Sequence, residues 1–182
     1  MNNFKMEIKK NKVAEEILLQ VIQSIVDDKY LVEDVSDDAE CYHLGDVKLT
    51  DKDGGTVYLD AKNDGVIHKT GRVFCESHKF FFRNMKKHSG FMEDGKYDYL
   101  CVVDRNSKKI YVLDFRVLKS IYKEYRQVET TLADCYSFGT VIPLDECKKE
   151  RALIYTITYD CENDSYYALD CVKEQKYGGF LF

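Results

Sequence analysis

Two charged side chains in the segment YLDAKNDG pose the first chemical question of this sequence. Successive side chains of a β-strand alternate between faces, so Asp60 and Lys62 project together while Leu59 and Ala61 project to the opposite side. An acid and an amine on one strand face fit either a solvated surface or the site of a metal-dependent enzyme. The neighbouring elements have to decide between these two interpretations.

A second acid lies on the segment before this strand. Alternation predicts a strand over Cys41–Leu49, in which Asp46 follows a Leu-Gly step, and a return strand over Thr56–Lys62. The intervening TDKDGG has the composition of a hairpin turn. The two strands therefore bring Asp46 into the neighbourhood of Asp60 and Lys62.

The length of that hairpin loop decides whether the three side chains share a face. A two-residue loop at the Asp-Gly or the Gly-Gly step would turn Asp46 away from the other two. A three-residue loop of Asp53, Gly54 and Gly55 pairs Lys52 with Thr56 and sets Asp46 opposite Lys62. We therefore predict a loop with an odd number of residues, or a bulge.

An amphipathic helix is predicted over Lys12–Asp28. Its apolar residues recur at helical spacing and form one broad stripe: Val13, Ala14, Ile17, Leu18, Val21, Ile22 and Ile25. Glu16 points away from the centre of the stripe, whereas Glu15 lies at its edge. An acid at the edge can reach over the core toward a neighbouring sheet, so Glu15 is the preferred helix acid and Glu16 the alternative.

The length and composition predict one cytoplasmic domain over 1–182, with a core at about 12–125 and a C-terminal elaboration at about 126–182. No segment reaches the roughly 20 apolar residues of a membrane helix, so no membrane partner is expected. The basic N-terminus lacks the apolar run of a secretory signal. The seven cysteines form no C-x-x-C pair or close Cys/His cluster, which favours free thiols over disulfides or structural zinc.

Charge is distributed unevenly along the chain, although the net charge is −5. Residues 27–64 contain twelve Asp and Glu against four Lys, whereas residues 68–88 contain six Lys and Arg against Glu76 alone. An acidic segment beside a basic one fits a metal site next to a phosphate-binding surface, and it also fits two solvated faces. The basic candidates for nucleic-acid binding are Lys69, Arg72, Lys79, Arg83, Lys86 and Lys87.

The remaining pattern predicts an α/β (α+β) fold with a mixed central β-sheet flanked by helices. The predicted strands are Tyr30–Val35, Arg72–Glu76, Lys96–Asp104 and Ile110–Asp114, followed by strands near 137–144, 151–160 and 165–172. Asp114 is the predicted N-cap of a helix over Phe115–Tyr125, and a short helix is predicted at 145–150.

The arrangement Asp46, then Asp60-x-Lys62 on the next strand, resembles the PD-(D/E)xK nuclease superfamily with its restriction-endonuclease-like core. Gly45 stands where the family commonly has proline, and Asp60 is the shorter of the two acids. The steps after the lysine resemble a phage-type branch: Asp64, Thr70-Gly71-Arg72, Glu76, Ser89-Gly90 and Asp98-Tyr99. Arg72 takes a position that is asparagine in that branch, and the resemblance spans about 12–125.

The resemblance implies a metal-dependent endonuclease that acts on double-stranded or branched DNA. It implies Mg²⁺, with Mn²⁺ as a substitute, bound by Asp46, Asp60 and the Ala61 carbonyl. Lys62 would position or activate the attacking water, and Glu15 and Glu76 would add metal ligands. A homodimer would allow both DNA strands to be cut.

Blander interpretations stay open beside this one. Lys62 can simply pair with Asp60 or Asp64, a surface ion pair of about 0–1 kcal/mol. The run KFFFRN fits core packing beside a solvated edge as well as base stacking. The whole chain can be an inactive nuclease-fold protein that binds nucleic acid or protein, or an interaction domain unrelated to nucleases.

Overall fold

A mixed seven-stranded sheet forms the centre of the molecule. The computed structural model describes residues 2–26, 28–41, 43–132 and 134–175, with side chains from residue 11 onward. The strand order is β1-β2-β3-β6-β7-β10-β11, in which β3 and β6 are parallel and the other neighbours antiparallel. The strands are β1 (Tyr30–Asp34), β2 (Val47–Asp51), β3 (Thr56–Asn63), β6 (Tyr99–Asp104), β7 (Lys109–Asp114), β10 (Leu153–Glu162) and β11 (Ser165–Lys173).

A second, four-stranded antiparallel sheet has the order β5-β4-β9-β8. Its strands are β4 (Arg72–Phe81), β5 (Lys87–Ser89), β8 (Gln127–Thr131) and β9 (Cys135–Pro143). The helices are α1 (Asn2–Ile25), α2 (Ile67–Thr70), α3 (Phe91–Asp94), α4 (Phe115–Ile121) with a 3-10 turn at Tyr122–Glu124, and α5 (Leu144–Lys149). In the described part of the chain, no helix is both long and apolar enough to cross a membrane.

Two hydrophobic cores lie on opposite faces of the central sheet. On one face, the predicted stripe of α1 packs on Val47, Leu49, Leu59 and Ala61, among others. On the other face, residues of β6 and β7 pack with α4, α5 and the inner side of the small sheet. Asp60 and Lys62 belong to this second face of β3, so the predicted alternation of the strand is confirmed.

The predicted fold class, an α+β fold with a mixed central sheet and flanking helices, is confirmed. The second sheet was not predicted. It arises because β4 continues to Phe81, beyond the predicted end at Glu76, and pairs with β9 from the C-terminal third of the chain.

Several element boundaries differ from the predictions. Helix α1 starts at Asn2 rather than Lys12 and ends at Ile25. Its first turns are mostly polar, and Phe4, Met6 and Ile8 are too sparse to show the broad apolar stripe that marks the rest of the helix. Asp27, in the predicted last turn, lies outside the described residues. The predicted helix Phe115–Tyr125 changes to a 3-10 turn after Ile121. The predicted cap is confirmed: the Asp114 carboxylate accepts a hydrogen bond from the Val117 N–H at 2.9 Å.

The predicted strand Cys41–Leu49 is confirmed only from Val47 onward. Consecutive turns occupy the stretch before it, with the Leu44 N–H donating to the Cys41 carbonyl at 2.7 Å, and β2 begins only at Val47. Tyr42 lies outside the described residues. Asp46 therefore precedes its strand instead of lying inside it.

The β2–β3 hairpin has a three-residue loop, but it lies one residue earlier than predicted. Thr50 pairs with Thr56, and the Asp51 N–H donates to the Gly55 carbonyl at 2.9 Å, so the loop is Lys52 to Gly54. The Asp51 carboxylate closes it by accepting hydrogen bonds from the N–H groups of Asp53 and Gly55. Gly54 takes the left-handed position with φ 84°.

Candidate active site

A cleft of about 330 Å³ opens between α1, the start of β2, strand β3 and the segment that follows β5. The predicted residues Glu15, Asp46, Asp60 and Lys62 all contribute to its wall. The three-residue loop between β2 and β3 explains why Asp46 lies on the same face as Asp60 and Lys62. Continuing the register past Val47 and Leu59 places Asp46 opposite Asp60, on the same face, rather than opposite Lys62 as predicted.

Asp60 is the most buried carboxylate of this cleft, with 8% of the residue exposed. Its Oδ2 lies 2.5 Å from the Lys62 Nζ, an ion pair, and no other donor of the described residues binds this oxygen. Burial raises the pKa of Asp60 to about 6. Desolvation is the main cause, and together with the neighbouring charge of Asp46 it outweighs the opposing effect of Lys62. The fold thus places an acid where its charge is only partly compensated.

Lys62 lies between the carboxylates, with 34% of its side chain exposed. It donates a hydrogen bond to the Ala61 carbonyl at 3.3 Å, and its Nζ is 5.8 Å from the ring centre of Phe91. Desolvation lowers the pKa of Lys62, but Asp60, Asp46 and Glu15 together outweigh it and raise the pKa above its ordinary value. Lys62 is therefore a cation at neutral pH, fit to neutralise negative charge in the cleft.

The backbone of β3 holds Asp46 in place. The Asp46 N–H donates to the Leu59 carbonyl at 2.8 Å, and its Oδ2 accepts from the Ala61 N–H at 2.7 Å. Burial raises the pKa of Asp46 despite the opposing effects of Lys62 and of the Ala61 hydrogen bond. Its second carboxylate oxygen is left for another partner.

Gly45 makes this approach of Asp46 to β3 feasible. Its φ is +129°, and a Cβ at this position would lie 2.6 Å from the Leu59 carbonyl oxygen. Proline, the residue that the resembling family commonly has here, requires φ near −65° and cannot adopt this backbone. The close approach to Leu59 and the positive φ therefore explain why glycine occupies this position.

Replacing Gly45 with alanine is expected to lower both stability and any activity that depends on Asp46. A non-glycine residue in such a conformation costs about 1–3 kcal/mol, and the new Cβ would push Asp46 away from Ala61. Urea denaturation measures the first effect. Gly54→Ala is the matched control, because Gly54 also has positive φ but no atom lies within 4 Å of the point where its Cβ would be. Equal losses in both variants would contradict the proposed role of the close approach.

Glu15 extends from α1 to the cleft, whereas Glu16 is exposed on the far side and accepts a hydrogen bond from Gln20. Glu15 Oε2 pairs with the Lys12 Nζ at 3.1 Å, and no other donor of the described part binds this oxygen. Burial, followed by the charge of Asp46, raises the pKa of Glu15. Of the two helix acids considered, the structure brings Glu15 to the cleft.

The chemistry of these oxygens fits a hard divalent cation. Asp60 and Glu15 each present a buried oxygen for which the described residues supply one lysine ammonium and no other donor. Mg²⁺ prefers carboxylate and carbonyl ligands completed by water. Within the described residues, no three Asp, Glu, His or Cys side chains converge closely enough to enclose a metal by themselves. A cation here would therefore take a substantial share of its ligands from water and substrate.

Glu76 does not join this carboxylate group. It accepts a hydrogen bond from the Ser137 Oγ at 2.7 Å and pairs with Lys79 at 3.2 Å, because β4 belongs to the small sheet. It lines a neighbouring hollow of about 360 Å³ that Lys62 and Phe91 also border. The structure thus places Glu76 next to the cleft but away from Asp46 and Asp60.

The six basic candidates fall into two groups. Lys69 and Arg72 are exposed around the start of β4, and Arg72 borders a third hollow together with Phe74 and Glu76. Arg83 and Lys86 are exposed at the end of the β4–β5 hairpin, where Lys87 begins β5, while Lys79 is paired with Glu76. The two groups lie at opposite ends of β4, and Lys79 lies between them on the same strand.

Sequence reasoning missed two further groups of the cleft. Lys12 bridges Glu15 and Asp37, with its Nζ 2.7 Å from Asp37 Oδ1. Tyr97 is 5% exposed, and its hydroxyl is buried without a hydrogen-bond partner among the described residues. Burial, and secondly the charge of Asp60, raise the pKa of Tyr97. Neither residue belongs to the Asp46, Asp60-x-Lys62 pattern, so that pattern gave no signal for them.

No protein-family model matches this sequence, and no curated protein does either. Among solved structures, the chain is similar to a bacterial homing endonuclease, I-Ssp6803I, at 18% sequence identity and a TM-score of 0.45. The match covers 62% of this chain and 72% of that chain. A likeness at this distance carries no weight for function, which has to be inferred from the cleft itself.

Proposed function

We propose that this protein is a divalent-metal-dependent nuclease that hydrolyses phosphodiester bonds of DNA. The observation that carries the proposal is the cleft in which Asp46, Asp60 and Lys62 meet, with Asp60 buried and its Oδ2 paired with the Lys62 ammonium. Burial of two neighbouring carboxylates costs stability, as the raised pKa values of Asp46 and Asp60 indicate, so their presence favours a binding role over a structural one.

Asp46 and Asp60 would hold Mg²⁺, or Mn²⁺ in its place, with the Ala61 carbonyl and Glu15 as further oxygen donors. A bound divalent cation supplies neutralisation of phosphate charge and acidification of a coordinated water. The Ala61 N–H fixes one Asp46 oxygen, which orients the other toward the cleft. The burial of Asp60 strengthens its attraction for a cation, because the surrounding dielectric is low.

Lys62 would act as a cation toward the scissile phosphate or the attacking water. Its raised pKa keeps the ammonium protonated, so it is suited to donate hydrogen bonds and stabilise developing negative charge. The sequence left open whether this lysine positions or deprotonates water. The carboxylate surroundings favour positioning and charge stabilisation.

A second candidate function is a nuclease-fold protein without catalytic activity that binds nucleic acid or a protein. Two observations favour it: no three ligating side chains converge in the described part, and Lys62 already neutralises much of the charge of Asp60. In that case Asp60 and Lys62 would serve only to form their ion pair.

Incubation with DNA separates the two candidates. Supercoiled plasmid, linear duplex and branched DNA are each incubated with the protein and Mg²⁺, Mn²⁺, Ca²⁺ or EDTA. We expect cleavage with Mg²⁺ or Mn²⁺, none with EDTA, and binding without turnover with Ca²⁺. Absence of cleavage on all three substrates in both Mg²⁺ and Mn²⁺ would contradict the nuclease and leave the binding function.

A further inference from the structure

The tip of the β4–β5 hairpin, Phe82 to Lys86, exposes apolar side chains that the cleft does not use. Phe82 is 41% exposed and Met85 60% exposed, and they lie in one turn. Exposed apolar side chains that cluster in this way indicate an interaction site more often than scattered ones do.

The tip is a well-defined turn. The Met85 N–H donates to the Phe81 carbonyl at 2.7 Å, and the Lys86 N–H donates to the Asn84 Oδ1 at 3.0 Å. The Phe82 ring packs edge-on against Tyr136, with ring centres 4.7 Å apart. The hairpin therefore presents Phe82 and Met85 from a fixed backbone, which reduces the conformational entropy lost on binding.

Met85 adopts φ 49°, in the left-handed region that methionine rarely occupies. This conformation costs stability, and the side chain recovers little by burial because most of it is exposed. Folding stability alone therefore does not explain why methionine occupies this position.

Positive charge surrounds the two apolar side chains. Residues 77–92 contain four Lys and Arg (Lys79, Arg83, Lys86 and Lys87) and no Asp or Glu, in a chain whose net charge is −5. The acids that flank this segment each pair with one of its lysines, Glu76 with Lys79 at 3.2 Å and Glu93 with Lys87 at 3.9 Å. Arg83 and Lys86, at the tip itself, lie between these two pairs. A phosphate-rich partner complements this charge.

The hairpin is also continuous with the cleft. Strand β5 leads directly from the tip into Ser89, Gly90 and Phe91, which line the cleft together with Asp60 and Lys62. A polymeric ligand bound at the tip can thus extend along this segment of the protein to the carboxylates of the cleft.

We propose that the hairpin tip docks on duplex DNA, with Phe82 and Met85 pressed between base steps in a groove and with Arg83, Lys86 and Lys87 on the flanking phosphates. Apolar wedges of this kind partially unstack a base step and bend the duplex. The choice of DNA as the partner rests on the proposed nuclease function, to which the tip adds a docking element and a bent substrate. Two apolar side chains are too few for a stable protein interface, whereas two suffice for a wedge.

The test compares Phe82→Ala/Met85→Ala with Leu169→Ala, a matched control on β11 that is also 60% exposed. Binding of a fluorescent duplex of about 30 base pairs is measured by anisotropy in Ca²⁺, and bending by energy transfer between its ends. We expect the double variant to bind about tenfold more weakly or worse and to lose the bend, since buried apolar contacts are removed. We expect its salt dependence to stay unchanged.

A charge variant, Arg83→Ala/Lys86→Ala, is expected to reduce the slope of log affinity against log salt by about two units, one for each lost phosphate contact. The melting temperature of each variant serves as the folding control. Values near that of the wild type show that the substitutions have not unfolded the protein.

Three results would overturn the inference: no DNA binding by the wild type, a double variant that binds and bends DNA as Leu169→Ala does, or tip-dependent binding of phosphatidylglycerol vesicles in place of DNA. Failure of the proposed function looks different. DNA bound and bent through the tip but never cleaved in Mg²⁺ or Mn²⁺ would remove the nuclease and support the docking element.

Discussion

Replacing Asp60 with asparagine is expected to reduce metal-dependent DNA cleavage by about a thousandfold or more, because an amide keeps the shape of the side chain but loses the charge that binds a cation. Asp60 is buried and pairs with Lys62 at 2.5 Å in the wall of the cleft. Single-turnover cleavage of labelled DNA in Mg²⁺ measures the loss.

Glu33→Gln is the matched control for this substitution. Glu33 lies in β1 of the same sheet and pairs with Lys48 at 3.0 Å, away from the cleft. Cleavage by this variant is expected to stay within about twofold of wild type, since this ion pair lies away from the cleft. A similar loss in both variants would show that removing any acid of the sheet disturbs cleavage.

The Asp60→Asn substitution, which is expected to lower cleavage, is expected to raise the stability of the fold. Because the folded protein holds the proton of Asp60 more tightly than the unfolded chain, the stability from that proton is complete below the ordinary pKa of 3.8 and is lost as pH rises through about 6. Asp60→Asn has no such loss. Between about pH 4 and 7, its unfolding free energy should therefore improve relative to wild type by on the order of 2 kcal/mol. A relative stability that falls over this range would contradict the burial cost assigned to Asp60.

Replacing Lys62 with methionine is expected to lower cleavage by about a hundredfold to ten-thousandfold, the usual range for a group that stabilises charge or positions a proton. Binding of DNA in Ca²⁺ should persist, because Asp46, Asp60 and Glu15 remain to hold the cation. The separation of binding from turnover distinguishes a catalytic lysine from a structural one. Cleavage at the wild-type rate by this variant would remove Lys62 from the site.

Lys48→Met provides the control for Lys62→Met. Lys48 is a partly buried lysine on the neighbouring strand β2, with 26% of its side chain exposed, and it is also paired with an acid. We expect its cleavage rate to stay near that of wild type. If Lys48→Met and Lys62→Met lose activity equally, the loss reflects a general dependence on lysines of this sheet.

Strand alternation was sufficient to place Asp60 and Lys62 on one face, and helical periodicity was sufficient to place Glu15 at the edge of α1. Both follow from local geometry, which sequence spacing encodes directly. The hairpin register was missed because the Asp51 side chain closes the loop by accepting two backbone hydrogen bonds, a contact that favours the loop one residue earlier.

The position of Glu76 was not predictable in the same way. It depends on β4 pairing with β9, far away in sequence, which removes Glu76 to a second sheet where Ser137 and Lys79 bind it. Likewise, the turns before Asp46 depend on Gly45 reaching positive φ against Leu59. Contacts between distant segments decided these features, and periodicity contains no information on them.

The most direct test of the proposed active site is the single-turnover rate of DNA cleavage by wild type and Asp60→Asn, measured side by side in Mg²⁺ and in EDTA. We predict cleavage by the wild type in Mg²⁺ alone and a rate lower by about a thousandfold or more in the variant. Cleavage by Asp60→Asn at the wild-type rate, or wild-type cleavage that persists in EDTA, would contradict the proposed metal-binding role of Asp60.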